Sequence, residues 1–180
     1  TDTYSIPLGK WLLISSGVLN NQEYIDNGNI NKQLTGVAIY LNPQLKDSLI
    51  TYLTVTDRLM SISLLTKTGP LTIVNHHAPD ESKPTNVKTA HWDLLSNVVY
   101  HIPKDHIKLV IGDTNIRWHG RRVGEEQVIG PNIFGRGLDY LEEHSHENRE
   151  LGVSLLSSFN LYYLNSYYQH PPRQTATFRD

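Results

Sequence analysis

Short apolar runs, rich in β-branched and aromatic residues, alternate with polar turns through the first half of the chain. Turn residues separate these runs at Asn42-Pro43, Asp57-Arg58 and Gly69-Pro70, as expected for the strands of a sheet. The Asn- and Gly-rich stretch Gly17–Gln33 has no hydrophobic period and predicts a long loop. The predicted strands, of which the last four begin a meander, are Trp11–Ser15, Leu34–Leu41, Leu49–Val55, Leu59–Leu65 and Leu71–His76.

Helical periodicity appears in two later segments. Apolar residues recur every three or four positions between Asn86 and Tyr100, which predicts one amphipathic helix. Leu151–Phe159 predicts a second helix by the same pattern. The Gly-rich, charged segment Arg117–His146 has no period and predicts a surface loop. The charged cluster Glu142–Glu150 is interpreted as a solvated face.

Three further apolar runs predict strands in the second half. Ile107–Ile111 predicts a buried strand, and Leu161–Tyr168 and Thr175–Phe178 predict two more. Alternation in Leu161–Tyr168 predicts that one Tyr of each pair is buried. Strands followed by a helix, a strand, a loop, a helix and strands indicate an α/β fold, and 180 residues suit one domain over 1–180.

Composition narrows the possible partners. Sixteen Lys and Arg against eighteen Asp and Glu give a formal charge of -2, so any contact with DNA must come from a local patch. Cysteine is absent, which excludes disulfides and thiolate metal sites and favours an intracellular protein, nuclear or cytoplasmic. No apolar run approaches the roughly 20 residues of a membrane span, so we expect no membrane partner.

The segment Gly112-Asp113-Thr114-Asn115 follows the predicted buried strand. If the strand alternation continues, Asp113 and Asn115 face the same way. A carboxylate there could polarise a water or hold a hard cation, and an amide could donate to developing charge on a phosphate. The alternative is a β-turn in which Gly, Asp and Asn satisfy only the turn geometry.

A second polar motif ends the strand before the first helix. His76 and His77 alternate faces, so only one of them can face a cleft, where it could donate to a phosphate oxygen or transfer a proton. The alternative is a capped strand with a surface histidine. Nine histidines are scattered through the chain without HExxH or zinc-finger spacing, and His144 and His146 fit a solvated loop better than a zinc site.

Arginines cluster just after the Gly-Asp-Thr-Asn segment. Arg117, Arg121 and Arg122 surround Trp118 and His119, and arginine beside an aromatic ring can bind phosphate and stack on a base. A solvated loop with one partly buried Trp explains the same residues equally well.

Taken in order, several sequence blocks resemble the endonuclease/exonuclease/phosphatase superfamily, most closely the endonuclease domains of LINE-type (non-LTR) retrotransposons and their domesticated relatives. The resemblance covers nearly the whole chain. Its blocks are Leu34–Ile39, Asp57–Leu59, Ile73–Pro79, Leu109–Asn115, Val128-Ile-Gly-Pro and the segments between Asn148 and Arg179.

The resemblance implies a four-layer α/β sandwich of two packed mixed β-sheets flanked by helices, which hydrolyses phosphodiesters with Mg²⁺ or Mn²⁺ and leaves nicked DNA. It implies that Asp113 holds the metal and activates the attacking water, that Asn115 steadies the scissile phosphate, and that His77 replaces the tyrosine usual before Ala-Pro. The substrate-binding residues that it implies are Asn75, Arg117, Arg121, Thr177 and Arg179.

Other metal and catalytic residues of the family have no match here, and we expect the chain to be a domain that lacks both ends. Such a chain should bind Mg²⁺ weakly and cut little DNA at ordinary Mg²⁺ concentrations. A second hypothesis is a catalytically inactive pseudoenzyme that serves as a structural or binding subunit, with protein partners completing its sheet edges. A third keeps the superfamily but takes a phospholipid or an inositol phosphate as substrate.

Overall fold

The computed structural model describes residues 11–17, 36–144 and 146–171. These residues confirm the α/β class, with a four-stranded mixed sheet, a two-stranded sheet and helices. The strands are β1 Leu12–Ser15, β2 Ala38–Leu41, β3 Leu49–Thr56, β4 Leu59–Thr66, β5 Gly69–His77 and β6 Ile107–Asp113. The helices are α1 Thr85–Tyr100, α2 Leu138–Glu143 and α3 Glu147–Phe159, with 3-10 turns at Pro43–Ser48 and Leu164–Ser166. No helix in these ranges is long and apolar enough to cross a membrane.

The chain divides into two compact units. The first comprises Thr1–Ala78 and His101–Asp113 and holds all six described strands. The second comprises Pro79–Tyr100 and Thr114–Asp180 and holds the three described α-helices.

The larger sheet of the first unit has the strand order β3-β4-β5-β6. Its first three strands are antiparallel neighbours, which confirms the predicted meander from β3 onward. β6 is parallel to β5, and the long connection between them, which contains α1, allows this arrangement. The meander does not include β2, which pairs instead with β1 in a separate antiparallel sheet.

The core of the first unit lies between these two sheets. Met60, Ile62 and Leu64 alternate along β4 and share one face of the larger sheet. Ile14 and Leu41, from β1 and β2, pack against that face. Each such buried side chain contributes about 1.5–3 kcal/mol, so this layer accounts for much of the stability of the unit.

Ile107–Ile111 lies in a strand, as predicted, but the prediction that this strand is buried is wrong. β6 lies at an edge of the described sheet, with Ile107 52% and Ile111 40% exposed. An apolar run identifies a strand, but it does not show how many neighbours the strand has.

The helices α1 and α3 of the second unit are joined by polar contacts. Trp92 Nε1 donates to Asn148 Oδ1 at 2.8 Å, and Asn148 Nδ2 donates to the carbonyl oxygen of Pro79 at 2.8 Å. The carboxylate of Glu81 accepts the backbone N–H of Glu147 at 2.6 Å and therefore caps the first turn of α3.

The prediction of a surface loop over Arg117–His146 is wrong. The segment contains α2 and buries Trp118, Val128 and Ile129 against apolar side chains of α3. The sequence did not predict this core, because the apolar residues of the segment follow no regular period and lie among glycines and charged residues.

The predicted strand Leu161–Tyr168 is also wrong. Asn160 takes a left-handed conformation (φ 51°) and ends α3, after which only an isolated bridge pairs Tyr163 with Ile129. Tyr167 and Tyr168 are both exposed, so the alternation fails for the second pair. The predicted strand Thr175–Phe178 and most of the predicted loop Gly17–Gln33 lie outside the described residues.

Candidate functional site

The ends of β5 and β6 bring together two of the predicted catalytic residues. His77 and Asp113 are the last residues of their strands and are register partners in the parallel pair. Register partners in a regular sheet present their side chains to the same face, and the two residues are adjacent where the two strands end. The N–H of Ala78 donates to the carbonyl oxygen of Asp113 at 2.8 Å and continues the ladder beyond the strand ends. His77 is half-buried and Asp113 is exposed.

Gly112 sets the position of Asp113. Its φ is +130°, which only glycine adopts without strain, and a Cβ there would overlap the carbonyl oxygen of His76 on the neighbouring strand. The backbone at this strand end therefore requires glycine at position 112.

The predicted alternation of the two histidines is confirmed. His76 is 1% exposed and faces away from His77, its neighbour in the extended strand. Of the two histidines, only His77 is the register partner of Asp113.

Hydrogen bonds connect the backbone of His77 to a turn, and that turn to a strand end, neither of which sequence reasoning had linked to the site. The N–H of His77 donates to the carbonyl oxygen of Arg58 at 2.9 Å, in the turn between β3 and β4. The buried hydroxyl of Ser16, just after β1, lies 3.2 Å from the carbonyl oxygens of both Asp57 and Val37 and shares its one hydrogen between them. Hydrogen bonds thus join the ends of β1 and β5 and the start of β2 through this turn. A serine after a strand gives no sequence signal for such a role.

Asn75, a predicted substrate-binding residue, lies on the same face of β5 as His77. Its amide Nδ2 donates to the carbonyl oxygen of Ala38 in β2 at 3.0 Å. This bond ties the larger sheet to the smaller one, so Asn75 has a structural role whatever it contributes to binding.

From the sequence, Asn115 is expected to face the same way as Asp113 if strand alternation continues past Asp113. That assumption is wrong. β6 ends at Asp113, and Asn115 has a left-handed backbone with φ 49°, so strand alternation does not extend to it. Asn115 is half-buried and belongs to the second unit.

The arginines after Asn115 differ in exposure. Arg117 is exposed, whereas Nη1 of Arg121 donates to the carbonyl oxygen of Ile129 at 3.2 Å. Trp118 is 8% exposed and stacks on Tyr163 at 4.5 Å between ring centroids, so it belongs to the core and is not a platform for a base. The predicted binding residues Thr177 and Arg179 lie outside the described residues.

No family model matches the chain, and a search of curated proteins finds no significant match.

Sequence reasoning also missed a buried ion pair that organises the segment after β6. Arg149, 0% exposed, donates to both carboxylate oxygens of Glu125 at 2.9 and 2.6 Å. Its remaining contacts include the carbonyl oxygens of Trp118 at 3.1 Å and Gly120 at 3.0 Å. The prediction of a solvated face over Glu142–Glu150 is therefore wrong at Arg149. Nothing in the sequence around Arg149 indicates that this charged side chain is buried.

Three histidines and a tyrosine cluster elsewhere in the second unit. The ring centroids of His119 and His146 lie 4.9 Å apart, and Tyr140 lies 4.7 Å from His119 and stacks on His144 at 4.0 Å. The Nε2 atoms of His119 and His146 are buried without a hydrogen-bond partner in the described structure. The described ranges contain no group of three or more His, Cys, Asp or Glu side chains arranged to hold a metal ion.

Two members of this cluster, His119 and His146, have lowered pKa values. The backbone N–H of Arg136 donates to Nδ1 of His119 at 3.3 Å, and an imidazolium would lose that bond because its Nδ1 carries a proton. Burial lowers the pKa of His119, and the charges of His146 and Arg117 lower it further. Burial also lowers the pKa of His146, while Glu81 opposes this shift.

We therefore predict that the second unit loses stability as the pH falls below 6.5, the ordinary histidine pKa. The folded state keeps these rings neutral while the unfolded chain binds protons, so the stabilisation is complete above 6.5 and declines until the lowered folded pKa is passed. Urea unfolding at a series of pH values measures this, with a His119→Gln and His146→Gln double variant for comparison.

The double variant should show a flatter dependence just below pH 6.5, and His170→Gln, which removes an exposed histidine, should follow the wild type. A double variant whose pH dependence parallels that of the wild type would contradict the prediction.

Proposed function

We propose that this chain is a DNA-nicking endonuclease domain that hydrolyses phosphodiesters with Mg²⁺ or Mn²⁺. The observation that carries the proposal is the register pairing of His77 with Asp113 at the carboxyl ends of two parallel strands. In α/β proteins ligands bind at this end of parallel strands. The resemblance described above supplies the substrate, DNA.

The carboxylate of Asp113 fits the way in which proteins hold Mg²⁺. Mg²⁺ is usually bound by one or two carboxylates together with waters and substrate phosphates. Asp113 is exposed at its strand end, where a phosphate could supply further oxygen ligands. A bound Mg²⁺ would stabilise negative charge that develops on the phosphate.

The residues of the chain would position the reactants. Asp113 would accept a hydrogen bond from the attacking water and orient it in line with the leaving oxygen. His77 would donate a ring N–H to a phosphate oxygen. The role of Asn115 in steadying the phosphate rests on the resemblance and stays a prediction.

The proposal is tested by nicking of supercoiled plasmid with increasing Mg²⁺ or Mn²⁺, and with EDTA. We expect slow, metal-dependent nicking by the full chain and a further loss of about 10²–10⁴-fold in Asp113→Asn, which keeps the size of the side chain but cannot act as a base.

The matched control is Asp47→Asn, which removes an exposed carboxylate of the first unit and should nick like the wild type. Nicking by Asp113→Asn at the wild-type rate would refute the assignment, as would a wild type that binds DNA but never cuts it at any metal concentration.

The second candidate is a binding subunit that has lost catalysis. β3 lies at the other edge of the described sheet, and its Ile50 and Leu53 are 53% and 54% exposed. An open edge with apolar side chains favours association with another chain. A wild type that never nicks DNA but forms a stable complex, lost in Leu53→Lys, would favour this candidate.

A further inference from the structure

Arg58 carries a positive charge to the end of the first unit at which His77 and Asp113 lie. It follows β3 in the tight turn before β4, and its carbonyl oxygen accepts the N–H of His77 at 2.9 Å. Its own N–H donates to Oγ1 of Thr56 at 3.2 Å. The backbone of Arg58 is thus held directly against the end of β5.

The guanidinium of Arg58 is only weakly engaged by the protein. Nη1 donates to the carbonyl oxygen of His77 at 3.5 Å, beyond the usual range of such hydrogen bonds. Arg58 makes no ion pair with any residue that the structure describes. A guanidinium has five N–H donors, so most of them remain available to a ligand.

The position of Arg58 in the sheet distinguishes it from the other described basic residues of the first unit. Lys46 precedes β3, Lys67 lies in the turn between β4 and β5, and Lys108 is near the start of β6, so all three lie at the opposite end of the sheet. Lys104 also precedes β6. Among the described Lys and Arg side chains of the first unit, only that of Arg58 lies at the end with the candidate catalytic residues.

We propose that Arg58 binds a backbone phosphate of the DNA substrate. The inference rests on the proposed function and assigns a substrate-binding residue beside the candidate catalytic pair. Two parallel N–H groups of a guanidinium match two phosphate oxygens, and such contacts are independent of base sequence. A cation at the same end of the sheet as Asp113 also offsets the repulsion between that carboxylate and an approaching phosphate.

The test measures binding of the full chain to a mixed-sequence DNA duplex in EDTA over a series of salt concentrations. Arg58→Met should weaken binding by about 10–100-fold, as for one charged hydrogen-bonding contact. It should also make the slope of log K against log salt less negative by about 0.9, the value for one lost phosphate contact.

Two further variants separate phosphate binding from a structural role. Arg58→Lys keeps the charge and should keep the wild-type salt slope with a smaller loss of affinity, because it lacks the planar fork. Lys67→Met removes an exposed charge at the opposite end of the sheet. It should match the wild type in both DNA affinity and salt slope. Circular dichroism checks that every variant is folded.

A wild-type salt slope in folded Arg58→Met, or a wild type that does not bind the duplex, overturns the proposal. The two proposals fail separately, because binding is measured without metal. A chain that binds through Arg58 but never nicks DNA contradicts only the proposed function. Asp113-dependent nicking with an unchanged slope in Arg58→Met contradicts only the role of Arg58.

Discussion

Arg149→Met is expected to lower the free energy of unfolding by about 3–5 kcal/mol, the usual cost of breaking a buried ion pair from one side. The variant would leave the carboxylate of Glu125 largely buried without its two guanidinium bonds. The carbonyl oxygen of Gly120 would also lose its guanidinium donor, and that of Trp118 would keep the N–H of Gly120 but lose the N–H of Arg149. Urea unfolding of the full chain measures the loss.

Two variants make this result specific. Arg122→Met breaks the more exposed pair with Glu150 and should cost only about 0–1 kcal/mol. Adding Glu125→Leu to Arg149→Met removes the stranded carboxylate and should recover part of the lost stability. Equal losses for Arg149→Met and Arg122→Met would show that the buried pair has no special importance.

Gly112→Ala is expected to cost about 2–6 kcal/mol, as the sum of an unfavourable backbone conformation and an overpacked contact. Its methyl group would meet the carbonyl oxygen of His76, so β6 must shift along or away from β5. The shift would separate Asp113 from His77 and abolish nicking. Unfolding by urea and hydrogen exchange of the β6 amides report the two effects.

Gly124→Ala is the matched control. Gly124 also has a positive φ, +91°, but nothing lies within 4 Å of the position of a Cβ there. Its substitution should cost only the backbone term, about 1–3 kcal/mol, with unchanged exchange in β6. If the two alanine variants lost the same stability, the close approach of Gly112 to His76 would not be what positions β6.

The sequence predicted those strands and helices that are marked by a pattern within the element itself. β3, β4 and β5 were found because alternation and turn residues mark strands, and α1 because its apolar face repeats at the helical period. Burial of β6 could not be predicted, since it depends on how many strands pair with it. The core formed by Trp118, Val128 and Ile129 was missed because irregular backbone has no period.

The candidate site was predictable to a similar extent. His77 and Asp113 were proposed because each follows a strand, and the parallel register then places them side by side. Asn115 was paired with Asp113 on the assumption of continued alternation, which its left-handed backbone contradicts. Ser16 and Arg58 were missed because hydrogen bonds between distant strand ends leave no pattern along the chain.

The central claim is that Asp113 holds the divalent cation at the ends of β5 and β6. Mn²⁺ broadens the NMR signals of nuclei close to it, so a titration of the labelled chain locates the ion. We expect early and selective broadening at the amides of His77, Ala78 and Asp113, lost in Asp113→Asn and kept in Asp47→Asn. Broadening centred on other residues, or unchanged in Asp113→Asn, would contradict it.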